Sequence, residues 1–146
     1  MTQDTPTRTA HTGAAAHDHA RLRDETTVLV AEDDPDVRLM MKTLLVMRGY
    51  RVAEASDGQE TLDVARAVRP GVILMDLQLP RLNGFAVTRF VRQTDGLRAV
   101  PIIVVSAHDP AKHRNLALAA GCNAYVQKPV DFDRLDEVIL GLLRKQ

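Results

Sequence analysis

Five polar positions in this chain have side chains able to handle a phosphoryl group. Glu32 and Asp33 follow the run TTVLVA (26–31), Asp76 follows VILM, Ser106 closes IIVVS (102–106), and Lys128 closes AYVQK (124–128). Three carboxylates brought within a few ångströms repel one another by about 4 kcal/mol per pair at ~4 Å, even at a surface-like dielectric. One lysine is too little to offset that, so a divalent cation is implied; an all-oxygen donor set favours magnesium, with manganese tolerated. A hard metal, a carboxylate, a hydroxyl and a lysine are the parts that phosphoryl transfer needs, namely an in-line nucleophile and fixed positive charge on the equatorial oxygens. Asp76 is then the nucleophile and forms an acyl phosphate. The metal and Lys128 neutralise two phosphoryl oxygens and Ser106 hydrogen-bonds the third. Ala107 is small enough to leave the entrance open.

Those roles require the five positions to meet, and the elements between them say how. The short aliphatic runs 26–31, 51–55, 72–76, 102–106 and 124–128 read as strands, and each is followed by a helical pattern. Asp34-Pro35 and Asp109-Pro110 are helix starts, with the aspartate as cap and proline in the first turn, and Gly49, Gly96 and Gly121 are stops. Val37, Met40, Met41, Leu44 and Met47 recur at helical spacing, and Leu62, Ala65 and Val68 are expected to face inward. Strands alternating with helices indicate an α/β domain with a parallel sheet, and right-handed crossovers put helices on both of its faces. Near-continuous apolar strands fit a sheet covered on both sides. In such a sheet the carboxyl ends of all strands share one edge. Taken singly, an aspartate after a strand is a cap, a serine is a turn former and a lysine before proline is solvated. Their joint placement at the ends of strands one, three, four and five overrides those readings, and no comparable set marks the opposite edge.

Composition narrows the function further. The 146 residues carry 19 Lys+Arg against 19 Asp+Glu, so no overall field draws the chain to nucleic acid or to an anionic membrane. Cys122, the single cysteine, excludes an intramolecular disulfide and fits a cytoplasmic protein, as a packing residue. No apolar run approaches the ~20 residues that span a bilayer. Residues 1–25 have almost nothing large and apolar to bury and read as a flexible tail with a little helix near the domain, which occupies 26–146.

The segments VLVAEDD, ILMDLQLP, VVSAHD and YVQKP, in that order, resemble the receiver domain of two-component response regulators over roughly residues 26–144. The spacing agrees as well, with 30 positions from Asp76 to Ser106 and 22 from Ser106 to Lys128. The resemblance implies a flavodoxin-like sheet in the order 2-1-3-4-5 with five helices. It implies that Asp76 is the phosphoacceptor and that Glu32, Asp33, Asp76 and the backbone carbonyl of Gln78 bind magnesium, Glu32 standing where Asp is commoner. Lys128 would precede a cis bond to Pro129. Ser106 and Tyr125 would form a switch pair that remodels the surface of the fourth predicted helix (AKHRNLALAAG), the fifth strand and the fifth helix. Gln78 and His108, each two positions beyond a site residue, would flank the attacking water and set the lifetime of the phosphorylated state. A sensor histidine kinase or phosphotransfer protein would be the donor and a protein the downstream target, with the chain monomeric or dimerising on phosphorylation. The domain is expected to act without an output domain after the fifth helix, through interaction or onward transfer.

Three other readings fare worse. A haloacid-dehalogenase-like phosphatase carries a second aspartate two positions after its nucleophile, where this chain has Gln78. A phosphorylation-independent adaptor usually loses part of the acidic pocket or the lysine, and both are kept here. Flavin binding on the same topology wants a phosphate-binding loop after strand one, and EDDPD would repel the phosphate.

Overall fold

The computed structural model describes the backbone of residues 4–145 and the side chains of residues 14–145. After the helix α1 (Asp4–Glu25) come β1 (Thr27–Ala31), α2 (Pro35–Met47), β2 (Arg51–Ala55), α3 (Gly58–Val68), β3 (Val72–Met75) and α4 (Gly84–Gln93). The chain continues through β4 (Ile102–Ser106), α5 (Pro110–Ala120), β5 (Ala124–Gln127) and α6 (Phe132–Arg144). The five strands form one parallel sheet in the order β2-β1-β3-β4-β5. This is the flavodoxin-like order that the resemblance implies, with six helices in place of five because α1 precedes the sheet.

Strand alternation divides the core in two. Leu29, Ile73, Met75, Ile102 and Val104 face one way, onto Leu62 and Ala65 of α3, Val87 and Val91 of α4 and Ala117 of α5. Val28, Val30, Val72, Leu74, Ile103 and Val105 face the other, onto Met41 and Leu45 of α2 and Leu135, Ile139 and Leu143 of α6. The buried Cys122 belongs to the first layer, and burial pushes its thiol up, which suits packing and not redox chemistry.

The caps act where expected. Asp34 accepts the Asp36 and Val37 amides, Asp109 accepts the Ala111 amide, and Gly121 closes α5 in the left-handed region. Asn83 caps α4 through the Ala86 amide, and that helix ends at Thr94, two residues before Gly96. Two helices are rotated from the simplest periodic reading. In α2 the core takes Met41 and Leu45, while Met40 and Met47 are exposed, and in α3 Val68 is exposed. Each helix touches the sheet along a stripe narrower than its run of apolar residues.

Residues 1–3 lie outside the described part of the segment expected to be a flexible tail; from Asp4 to Glu25 it is helical. Its last turns are attached to the domain. The Arg23 guanidinium lies 2.7 Å from Asp136 of α6, and the Thr26 hydroxyl donates to the Leu22 carbonyl. The Tyr50 hydroxyl donates to the same Asp136 at 2.5 Å, and Arg48 reaches it at 3.5 Å. A polar cluster therefore exists beside the starts of β1 and β2, away from the strand ends, where the sequence reading expects none. It joins the buried Asp136 to two guanidinium groups and a phenol, and Arg48 also meets Asp133 at 2.7 Å, so two carboxylates match two guanidinium charges.

Candidate functional site

β1 and β3 are neighbours in the sheet, so Glu32 and Asp76 leave adjacent strand ends. The Asp76 amide donates to the Ala31 carbonyl at 3.1 Å, and the Glu32 amide donates to Ala55 at 3.0 Å, which holds both backbones to the sheet beyond the last paired residues. Arg38, on the first turn of α2, donates to the Glu32 carbonyl at 2.8 Å. Glu32 is nearly fully buried at 3 % exposure, Asp76 is half-buried and Asp33 is exposed. One oxygen from each of the three lies within 4.8 Å of the others, the only such acidic, histidine or cysteine group among the described residues.

Lys128 enters from β5, two strands away from β3. Its ammonium donates to Glu32 at 2.6 Å and to Asp76 at 3.0 Å, while its backbone amide donates to the Ser106 carbonyl at 2.8 Å. The Lys128–Pro129 bond is cis, as the resemblance implies. Burial works against the lysine charge, but the bonds to Glu32 and Asp76 outweigh it and hold the ammonium above its usual pKa. Burial pushes the Glu32 carboxyl up; the Lys128 bond opposes that and the Asp76 charge adds to it. A single ammonium thus leaves the carboxylates short of positive charge, and their all-oxygen donor set suits a hard divalent cation.

Ser106 is fully buried, and its hydroxyl oxygen accepts the His108 amide at 3.1 Å. The Tyr125 hydroxyl donates to the His108 carbonyl at 3.0 Å. Both residues expected to form a switch pair are thus bound to the backbone of one residue, His108. The Gln78 backbone amide donates to Asp76 at 3.0 Å, and Gln78 lines a cavity of about 210 Å³ with His108, Leu77, Asn83, Phe85 and His113. The two residues expected to flank a water therefore share one cavity.

Sequence reasoning missed three residues here. Arg38 supports Glu32, and its only sequence signal is its place one turn after the Asp34 cap. His113 stacks on His108 with ring centroids 4.6 Å apart, readable only as a histidine in the first turns of the helix after the Ser106 loop. Gly84 begins α4 against the segment after β3, where a Cβ would meet the Asp76 carbonyl at 2.9 Å. Only the way the loop folds back, with the Gly84 amide donating to the Leu77 carbonyl at 3.0 Å, reveals that requirement.

The response regulator receiver domain family matches residues 28–140. The polar-differentiation response regulator DivK of Brucella anthropi is 35% identical over 117 residues, covering 80% of this chain and 95% of that protein. Among solved structures, the receiver domain of sensor histidine kinase PA1611 from Pseudomonas aeruginosa, described with a magnesium ion coordinated in its active site cleft, superposes with a TM-score of 0.76 at 33% identity. That comparison covers 82% of this chain and 98% of the other. A response regulator from Chloroflexus aurantiacus gives a TM-score of 0.78 at 28% identity, over 82% and 98% of the two chains. No described helix is long and apolar enough to cross a membrane.

Proposed function

The chain belongs to the response regulator receiver domain family, and on that premise we propose that it is a phosphorylation switch whose acceptor is Asp76. The observation that carries this reading is the Lys128 ammonium held between Glu32 and Asp76 at 2.6 and 3.0 Å, with Asp33 beside them. A carboxylate of Asp76 forms a new O–P bond as the N–P bond of a phosphohistidine donor breaks, and the released imidazole keeps the bonding pair. Lys128 is placed to follow one phosphoryl oxygen as charge moves from Asp76 onto the phosphoryl group. Glu32, Asp33, Asp76 and the Gln78 carbonyl would hold magnesium, with manganese tolerated, and the ion would supply the remaining positive charge.

Reversal is hydrolysis: water forms the O–P bond of inorganic phosphate and the acyl phosphate bond to Asp76 breaks. Gln78 and His108, facing one cavity, orient or exclude that water. In the switch, the Ser106 hydroxyl turns toward the phosphoryl group and releases the His108 amide. The His108 carbonyl holds Tyr125, so the loop transmits this change to the face made by α5, β5 and α6. That face binds the downstream protein.

A sensor histidine kinase or phosphotransfer protein supplies the phosphoryl group. An apolar groove of about 390 Å³ beside Lys128, lined by Val37, Met40, Met41 and Leu44 of α2 and by Val130 and Phe132, offers a seat for a donor helix next to Asp76. Residues 26–146 carry the switch and residues 1–25 are an appendage to it. Within its family the chain is a signalling domain, and its chemistry is confined to its own phosphorylation and dephosphorylation.

The deciding test is incubation with acetyl phosphate, with and without magnesium, read by intact mass beside an Asp76→Asn control. We expect a magnesium-dependent gain of one phosphoryl group that the control lacks. A gain in the control, or none in the folded, magnesium-binding protein with either acetyl phosphate or a phosphohistidine donor, overturns the assignment. Size-exclusion chromatography of the same samples distinguishes a monomer from a phosphorylation-dependent dimer.

A further inference from the structure

A groove lies between α4 and α5, lined by none of the three clustered carboxylates and adjoining the cavity that holds Gln78 and His108. It has a volume of about 360 Å³, with an apolar floor of Phe85, Leu116, Ala119 and Ala120 and with Arg89 on its α4 wall. Leu116, which lines it, is 59% exposed. On α5, Lys112 sits one turn before Leu116 and shares its stripe. The groove thus has an apolar lining with Arg89 on its α4 side, and a second cation, Lys112, stands one turn along α5 from Leu116.

The charge around it is one-sided. α4 carries Arg89 and Arg92 and α5 carries Lys112 and Arg114, and neither helix contains an aspartate or glutamate. None of the four forms an ion pair among the described residues, whereas the cations Arg38 and Lys42 of α2 both meet Glu54. Arg92 sharpens the imbalance from beneath. Its guanidinium is partly buried and donates to the carbonyls of Gly121, Arg98 and Val100 and to the Asn123 side chain, all of them uncharged acceptors. A cation solvated only by neutral oxygens under the helix junction leaves its field unmatched at the surface.

We propose that this groove docks an acidic amphipathic helix of a partner protein, its apolar stripe on Phe85 and Leu116 and its carboxylates toward Arg89 and Lys112. A helix is about 10 Å wide and presents an apolar stripe flanked by polar residues, the shape and polarity that two helices with an apolar furrow and charged rims accept. A duplex or a bilayer would use the cations but not the concave apolar floor. The groove shares Asn83 and Phe85 with the cavity that holds Gln78 and His108, so its occupant sits one side chain away from the loops around Asp76. Docking itself is independent of phosphorylation, so it can fail or hold whatever Asp76 does.

The test uses a fluorescein-labelled synthetic peptide of two Leu/Glu amphipathic heptads, with a Leu/Lys peptide of the same pattern as control. Binding to the unphosphorylated full chain is followed by anisotropy at low and high salt, and the contact surface by backbone amide NMR shifts. We expect the Leu/Glu peptide alone to bind, with shifts centred on α4 and α5. We also expect about tenfold weaker binding in an Arg89→Glu/Lys112→Glu variant, which circular dichroism shows to be folded. Leu116→Ser, which keeps both cations, should weaken binding by a similar factor. Equal binding of both peptides, shifts centred elsewhere, or no binding at millimolar peptide overturns the proposal. So does binding to a DNA duplex or to phosphatidylcholine/phosphatidylserine vesicles that Arg89→Glu/Lys112→Glu abolishes while leaving the peptide unaffected.

Discussion

Replacing Asp33 by Asn should make the metal-free protein more stable. Asp33 is exposed and accepts no bond from Lys128, which is engaged by Glu32 and Asp76. Its oxygen lies within 4.8 Å of both other carboxylates. Two unit charges at that separation repel by about 1 kcal/mol in bulk water and by about 3.5 kcal/mol at an effective dielectric near 20. The exposure of Asp33 places its two pairs toward the lower figure, and attraction to the nearby Lys128 cancels part of the total. A net gain of about 1–2 kcal/mol remains, worth roughly 3–6 °C in Tm for a chain of this size. The assay is thermal unfolding in EDTA and again in millimolar magnesium. The wild type should gain RT ln(1 + [Mg]/Kd), about 2.7 kcal/mol at ~100 times Kd, and Asp33→Asn much less, so that the order of stability narrows or inverts. A variant no more stable than wild type in EDTA, or equal magnesium shifts in both proteins, would show that the three carboxylates do not act as one strained anionic group.

Three further outcomes concern Asp136, two glycines and the pair Gln78 and His108. Burial raises the Asp136 pKa, but the bonds from Arg23 and Tyr50 outweigh it and hold the carboxyl below its usual value. Its stability contribution is therefore present above the unfolded carboxylate pKa and lost as the pH falls through the folded one. Asp136→Asn should cost about 2–4 kcal/mol at pH 7 and flatten the acid limb of a Tm-against-pH curve, and a parallel curve would contradict this. At Gly58 a Cβ would fall 1.9 Å from the Leu82 carbonyl, whereas at Gly141 it would meet nothing within 4 Å. Gly58→Ala should thus destabilise by more than about 2 kcal/mol and Gly141→Ala stabilise by up to about 1 kcal/mol in urea unfolding; equal effects would sink the argument. A Gln78→Ala/His108→Ala double variant should alter the phosphoryl half-life measured by decay of the phosphorylated mass, and an unchanged half-life would remove both from the water's path.

Much of this protein follows from its sequence because the determining interactions are local. Short aliphatic runs bounded by Asp-Pro and Gly mark strands, caps and stops within a few residues of their true ends, and Asp34, Asp109 and Gly121 cap as expected. Parallel strands share one polar edge by topology, so Glu32, Asp33, Asp76, Ser106 and Lys128 could be assigned to it before any contact was known. What the sequence left open depends on which distant segments touch. Periodicity alone did not rotate α2 so that Met41 and Leu45, and not Met40 and Met47, enter the core, since both sets repeat at helical spacing. Nor could it say that Lys128 would bridge Glu32 and Asp76, that His108 would tie Ser106 to Tyr125, or that Arg23 and Tyr50 would meet at Asp136, 113 and 86 positions away. Those pairings are decided by strand order and by side-chain reach across packed layers, quantities that exist only once the chain has folded.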